Sequence, residues 1–588
     1  MQPRIRKSKM TAAVVGMMMA IPATSQAQGL LDFLFRGNRQ EVQQPQVRQQ
    51  PQQQRQQGMN GLNGQVQSGQ TVQAFTKGGV PWKIVKSAWT EADELKFSQF
   101  VESIYESGCK SVPNCMAGKG NWYRDKDPSG MVWYADCGRF PYLLRSYFAF
   151  HNGLPFQSAL VASKRDSSDR ESEIKYAPKG TYISKRWSVT SGTNGYQFIK
   201  STVQSVYSAV FRVDSRLDVD GGMYSDFYHV AINRKNIRPG TVLYDPNGHI
   251  ATVAKVEKNG KIILLDSHPD NSVTRVEYNS AFRATLIVQG GGFKNWRPLK
   301  IVNGKTVAAS NKEAPGYSLE QFVGDQPNKG GFSTAKWSTS DGILPSSRYV
   351  DVVRARMSLG AVKYHPVEEI KASMNTLCLM MEDRILSVKE AVTKGIDRKS
   401  MPNERLPGNI YGTSGEWEDY STPSRDARLK TAIAEFYSDV KRMYDLYQKR
   451  DAKVVYSGND LVGDMLRAYN ESSAACQLSY TKSDGRGVSM DFQGFVERLY
   501  AMSFDPYHCI EQRMGATSSS ELASCQQSAT KDAWYKAQQS IRNSLERPYE
   551  KKMGWSLSEM QNGAAISAGV GVTSQAPVNI RAFLTSVR

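Results

Sequence analysis

The stretch WYADCGRFPYLLRSYFAF, residues 133–150, sets a cysteine directly after an aspartate and ahead of apolar residues at helical spacing. Asp136 there has the form of a helix N-cap, with Cys137 in the first turn. Pro141 fits the same reading, because proline is tolerated only near a helix start. At such a position the helix dipole favours a thiolate, and the unbonded N–H groups can hold an oxyanion. The alternative on this stretch alone is a buried structural cysteine. Phe140, Leu143, Leu144, Tyr147 and Phe148 would form the face that docks the helix on a sheet.

A nucleophilic thiol needs a base, and the chain holds six histidines: His151, His229, His249, His268, His365 and His508. Two of them bound the segment HIATVAKVEKNGKIILLDSH, where Asn-Gly between β-branched runs signals a hairpin. With Asn259–Gly260 as the turn and Lys258 facing Lys261, His249 faces Asp270 and lies diagonal to His268. Side chains alternate along a strand, so His249, Asp266 and His268 share a face. One imidazole there can deprotonate the thiol while a polar neighbour fixes its tautomer. Merely polar, solvent-facing positions do not easily explain such a trio on an otherwise apolar hairpin. His365 and His508 have no partner at metal-ligand spacing and read as structural, so no metal is expected.

The remaining cysteines suggest an oxidising compartment. Cys109 and Cys115 flank a short turn, and Cys509 and Cys525 flank a loop between helices. Cys378 and Cys476 are then left for each other, a pairing that spacing alone does not fix. Seven is odd, so at least one thiol stays free, and Cys137 is the cysteine whose surroundings suggest a use for it. The chain opens with Arg4, Arg6, Lys7 and Lys9, an apolar run and ATSQAQ, which reads as a secretory signal over 1–27. An exported protein, periplasmic or extracellular and without a membrane anchor, is expected. The formal net charge, +19 for the whole chain and +15 without the four basic residues of 1–27, then suits an anionic envelope polymer, with no nucleic-acid partner expected.

These residues must be positioned by larger elements. Residues 28–75 are Gln-rich, too poor in apolar residues to bury, and read as a disordered linker. Residues 76–300 mix helix and strand signals, including a helix capped by Thr90 with Leu95, Phe97, Phe100, Val101 and Ile104 on one stripe. Residues 301–345 read as a linker, 346–560 as a helical domain and 561–588 as a flexible tail. The clearest helix is capped by Ser424 and carries Leu429, Ile433, Phe436, Val440, Met443 and Leu446 on one stripe. GGFKNWRPLK and KGGFSTAKW read as solvated loops, and YGTSGEWEDYSTPSRD as a loop that either binds a ligand or packs.

ADCGRFPYLL resembles the Asp-Cys-small-x-apolar block of NlpC/P60 cysteine peptidases. PGTVLYDPNGHIATVAKVEKNGKIILLDSH resembles the Gly-His hairpin of that clan, its CHAP branch included. The resemblance covers 133–150 and 238–270 and does not reach the helical half. It implies an α+β papain-like catalytic domain, with the cysteine helix packed on an antiparallel sheet, followed here by the mostly α-helical domain. Cys137 would be the nucleophile and His249 the base. His268 matches the third polar residue of NlpC/P60 and Asp266 the acidic position of CHAP, so either can orient the base. Asp136 and Tyr134 are candidate substrate contacts. The resemblance also implies hydrolysis of amide bonds in peptidoglycan without metal or organic cofactor. Gly138 and Arg139 depart from the family pattern, and the stretch from Cys137 to His249 is longer than usual. Acyl transfer on the same triad is a second reading, and an inactive envelope-binding protein a third.

Overall fold

The Asn259–Gly260 hairpin contributes two interior strands to a six-stranded antiparallel sheet. The computed structural model describes residues 70–72 and 79–588, apart from 170–172, 221–222, 247, 283–286, 323–335, 340–341, 346–347, 414 and 550. The expected signal, most of the Gln-rich tract and residues 329–335 of KGGFSTAKW fall outside these residues. Gln70–Val72 (β1), at the end of that tract, runs parallel to Thr181–Ser188 (β3), which also pairs with Gln157–Lys164 (β2). The main sheet consists of Phe227–His229 (β4), Val242–Asp245 (β5), His249–Val256 (β6), Ile262–Ser267 (β7), Val273–Glu277 (β8) and Gly292–Trp296 (β9). Its order is β8-β7-β6-β5-β9-β4.

Both faces of this sheet are covered, which is why its strands read as near-continuous apolar runs. On one face Val242, Tyr244, Ile250, Ala254, Leu265 and Trp296 join a core with Glu91–Glu106 (α1) and Phe140–Asn152 (α2). On the other, Leu243, Ala251, Val253, Ile262, Leu264 and Phe293 pack with residues of Pro366–Thr393 (α3), Pro423–Gln448 (α5) and Leu461–Ala475 (α6). The sheet of the expected catalytic segment is thus roofed by helices of the expected accessory segment. The described residues cluster as one compact unit. The fold is mixed α and β, with antiparallel sheets and a helical C-terminal region.

Register departs from expectation in an instructive way. Thr252 faces Leu265 and Val253 faces Leu264, but Lys255 faces Ile263 and Val256 faces Ile262. Ala254 is therefore an extra residue, a β-bulge. At the turn Glu257, not Lys258, bonds Lys261, its N–H donating to the Lys261 carbonyl at 2.9 Å. Carried to the strand end, the Thr252–Leu265 register sets His249 opposite His268 rather than Asp270. The shift is two residues, and side chains repeat every two, so the three polar residues still share a face.

Other elements depart from the sequence reading more simply. Leu95 is exposed while Phe97, Phe100, Val101 and Ile104 are buried; Thr90 caps α1 through a capping box with Asp93. Helix α5 starts at Pro423, and Ser424 does not cap it; the Ser424 hydroxyl lies 3.1 Å from that of Tyr549. GGFKNW is not a solvated loop but strand β9, with Phe293, Lys294 and Trp296 buried. Residues 301–345 contain paired strands rather than bare linker. The tail 561–588, expected to be flexible, ends in Ile580–Ser586 (α7), which buries Ile580 and Leu584 completely. Among the described residues no helix is long and apolar enough to cross a membrane.

Candidate functional site

Asp136 does cap a turn. Its Oδ1 accepts from the Arg139 N–H at 3.1 Å, and its carbonyl accepts from the Phe140 N–H at 2.9 Å. Those are the bonds of an N-cap residue, so Cys137 occupies a capped turn that feeds directly into α2. Asp136 also pairs with the Arg139 guanidinium at 3.0 Å. Its carboxylate is committed to the turn, which answers why the cysteine follows an aspartate. A Cβ on Gly138 would lie 3.3 Å from Ser208 N, so the small residue lets this turn press on the next segment. Helix α2 itself is buried on every side from Phe140 to Phe150, not amphipathic as read. Arg145 is accommodated there by a two-armed pair with Glu94, at 2.5 and 2.7 Å, and by stacking 3.4 Å from the Trp89 ring centre.

The segment before the cysteine is tied to the end of β7. Ser267 Oγ donates to the Ala135 carbonyl at 2.7 Å, and Asn271 Oδ1 accepts from the Ala135 N–H at 3.1 Å. Cys137 is the one free cysteine; Cys109–Cys115, Cys378–Cys476 and Cys509–Cys525 are disulfides. The residue is only partly buried, yet its thiol is enclosed, and that desolvation dominates its titration. Together with the charges of Asp136 and Asp266 it pushes the thiol up to about 12, against the Ile250 backbone N–H, which favours the thiolate; Glu418 adds to the rise. The resting group is a thiol, and it needs a base to react.

Ile250 directly follows His249. The His249 Nε2 lies 2.8 Å from Asp266 Oδ1, a close ion-pair contact whose geometry is not that of an aligned hydrogen bond. His268 Nε2 lies 3.6 Å from Asp266 Oδ2 and 3.2 Å from Thr274 Oγ1, and its ring is 6.1 Å from that of His249. Asp266, not His268, is therefore the residue in contact with His249. Burial works to raise the Asp266 carboxyl, but His249, His268 and Arg428 outweigh it and hold it well below the usual aspartate range. Burial likewise pushes His268 down to about 3, keeping it neutral.

The structure does not join all the expected partners. By strand alternation His249 and Asp266 project with Ala251, Val253 and Leu264, towards the C-terminal helices. Cys137 packs with the other core and reaches the hairpin at the Ile250 N–H. Among the described residues no hydrogen bond or ion pair connects Cys137 to His249. Tyr134 is half-buried, which raises its phenol, and no described contact ties it to the cysteine.

Sequence reasoning missed the contribution of the C-terminal half. Arg428 of α5 lies 3.9 Å from Asp266 Oδ2, and Arg547 holds Asp245 at 2.8 Å. The loop YGTSGEWEDY packs rather than standing open. Its helix Glu416–Tyr420 (α4) places Glu418 2.9 Å from Lys175, Gly412 lies against Tyr176, and Tyr549 lies between Tyr176 and Tyr411, 6.0 and 5.8 Å from their ring centres. The neighbouring turn 174–176 belongs to the long stretch between Cys137 and His249. That stretch is folded rather than loop-like, containing β2, β3 and a helix, Gly195–Ser205. His508 is buried with Nδ1 2.6 Å from Ser503 Oγ. Among the described residues, Cys509, Glu511 and Cys525 cluster at metal-ligand spacing, but the two sulfurs are spent in a disulfide. No family model, curated protein or solved structure matches the chain.

Proposed function

We propose that this chain is an exported cysteine hydrolase of the papain-like, NlpC/P60-related kind that cleaves amide bonds, with peptidoglycan as its substrate class. One observation carries the reading: the unpaired cysteine sits in a capped turn at the head of the central helix, its thiol met by the N–H of the residue after His249, which itself contacts a buried ionised carboxylate. Cys137 Sγ attacks the carbonyl carbon as His249 takes the thiol proton. The N–H groups at the head of the turn have no i−4 carbonyl to bond, and they receive the oxyanion. Collapse gives a thioester and passes the proton to the leaving amine; water activated by His249 then releases the acid. Asp266 steadies the imidazolium formed in each step. For transfer, His249 has to swing from Asp266 towards the thiol at the end of β6, where it is the first strand residue.

Purified peptidoglycan digested by the chain lacking residues 1–27, and by its Cys137→Ala variant, tests this. New fragments from the unsubstituted protein alone, identified by mass spectrometry, are expected. Intact peptidoglycan in both reactions would remove the substrate assignment.

A further inference from the structure

We propose that Arg428 is a positioning residue of the cysteine site, supplying from the C-terminal half the permanent positive charge that keeps Asp266 ionised beside His249. The proposal rests on the hydrolase reading above. Among the described residues, Asp266 is the one carboxylate within ion-pair distance of Arg428, at 3.9 Å, and the guanidinium makes no hydrogen bond. Arg428 is 6 % exposed, and a cation so enclosed is costly unless a carboxylate offsets it. The carboxylate nearest in its own helix is already taken: Asp426 pairs with Arg384 at 2.7 Å. The other cations of the cluster have partners too. Arg547 holds Asp245, and Arg425 donates to the Asp383 carbonyl at 2.9 Å while its charge acts on Asp270 and His268.

From the side of Asp266 the conclusion is the same. Its neighbours are His249, His268 and Arg428. His268 is buried, bonded to Thr274 and neutral. His249 and His268 are imidazoles that gain and lose a proton, whereas a guanidinium stays charged. Among these three neighbours Arg428 is thus the one permanent charge. Glu418 and Asp136 act on the thiol and Tyr549 on Arg428, and none of them is a cation.

A positive charge beside proton-binding groups lowers their affinity for protons. Removing it makes the His249–Asp266 pair hold protons more tightly, so the acid limb of Cys137 reactivity moves to higher pH. The experiment is the rate of Cys137 alkylation by iodoacetamide from pH 4 to 9 in the full chain, in R428M, R428Q and R428K, and in H249N. R428M and R428Q are both neutral, so either suffices if the other does not fold; cooperative thermal unfolding checks each. The expected result is an acid limb raised by about one pH unit in the neutral variants, with alkylation about tenfold slower at the foot of the limb. R428K should keep the original limb. A limb unmoved in the neutral variants overturns the proposal, and so does an equal displacement in R428K, which would assign the effect to packing. H249N separates the two readings: if it leaves alkylation unchanged, the hydrolase reading itself fails, whatever Arg428 does.

Discussion

Asp266 sets the electrostatics of the site, because it is buried, ionised and shared between two imidazoles and a guanidinium. Asp266→Asn keeps the shape and removes the charge, so cleavage should fall by about 10²–10⁴-fold, read as initial rates of peptide release. His268→Gln should act on stability instead. Folded His268 titrates near 3, whereas an unfolded histidine titrates near 6.5, so the unfolded chain takes up the proton first. Stability is therefore full above about pH 6.5 and lost as pH falls towards 3. The loss attributable to His268 is about 1.4 kcal/mol per pH unit in that window. Urea midpoints at pH 7, 5.5 and 4 should fall less steeply in His268→Gln than in the original chain. The candidates Cys137, His249, Asp266 and His268 were legible at this scale from type and spacing. Arg428 was not, because nothing in the pattern of α5 says which distant carboxylate its buried arginine meets.

Elements show why the three polar residues stay on one face. If the pairing of Val256 with Ile262 ran on without the bulge, His249 would face Pro269 and Asp266 would point the other way. Deleting Ala251, between His249 and the paired Thr252, should therefore set His249 opposite Ser267 and separate the imidazole from the carboxylate, whereas deleting the extra residue Ala254 should leave them together; the test is the rate of Cys137 alkylation in the two deletions. The turn is equally constrained. Gly260 has φ +84°, and a Cβ there would lie 2.0 Å from the Arg354 carbonyl oxygen, whereas Gly304, with φ +72°, has open space around it. Both Gly→Ala changes carry a left-handed backbone cost of about 1 kcal/mol. Gly260→Ala must also displace the Arg354 backbone, so it should lower the thermal midpoint clearly further than Gly304→Ala. The turn and the long helices were readable from Asn-Gly and from 3.6-residue periodicity. Strand β9 was not, because a lysine between two aromatics reads as solvent-facing. Here Lys294 is buried, with its Nζ donating to the Phe211 carbonyl at 2.6 Å.

For the molecule as a whole, the main sheet is a shared wall. Residues 76–300 made alone would leave Leu243, Ala251, Val253, Leu264 and Phe293 bare, an apolar patch that favours aggregation. Periodicity revealed the helices that cover this face but not that they cover it, since a stripe tells which side of a helix is buried and not against what. The covering half is itself fastened by Cys378–Cys476, which spans 98 residues, against 6 for Cys109–Cys115. Loop-closure entropy gives the longer link about 4–5 kcal/mol. A Cys378→Ala/Cys476→Ala variant should thus lose far more urea resistance than Cys109→Ala/Cys115→Ala. The shared wall also imposes an order of events on a newly made chain. The cysteine turn and the hairpin leave the ribosome before the covering helices α3, α5 and α6, and Arg428 comes with α5. Until α3, α5 and α6 arrive, the sheet has one uncovered face, and until α5 does, Asp266 lacks Arg428. On the hydrolase reading, a copy cut off before α5 would carry the cysteine turn and the hairpin but neither the cover of the sheet nor the cation of Asp266, and so no finished centre with which to attack its surroundings.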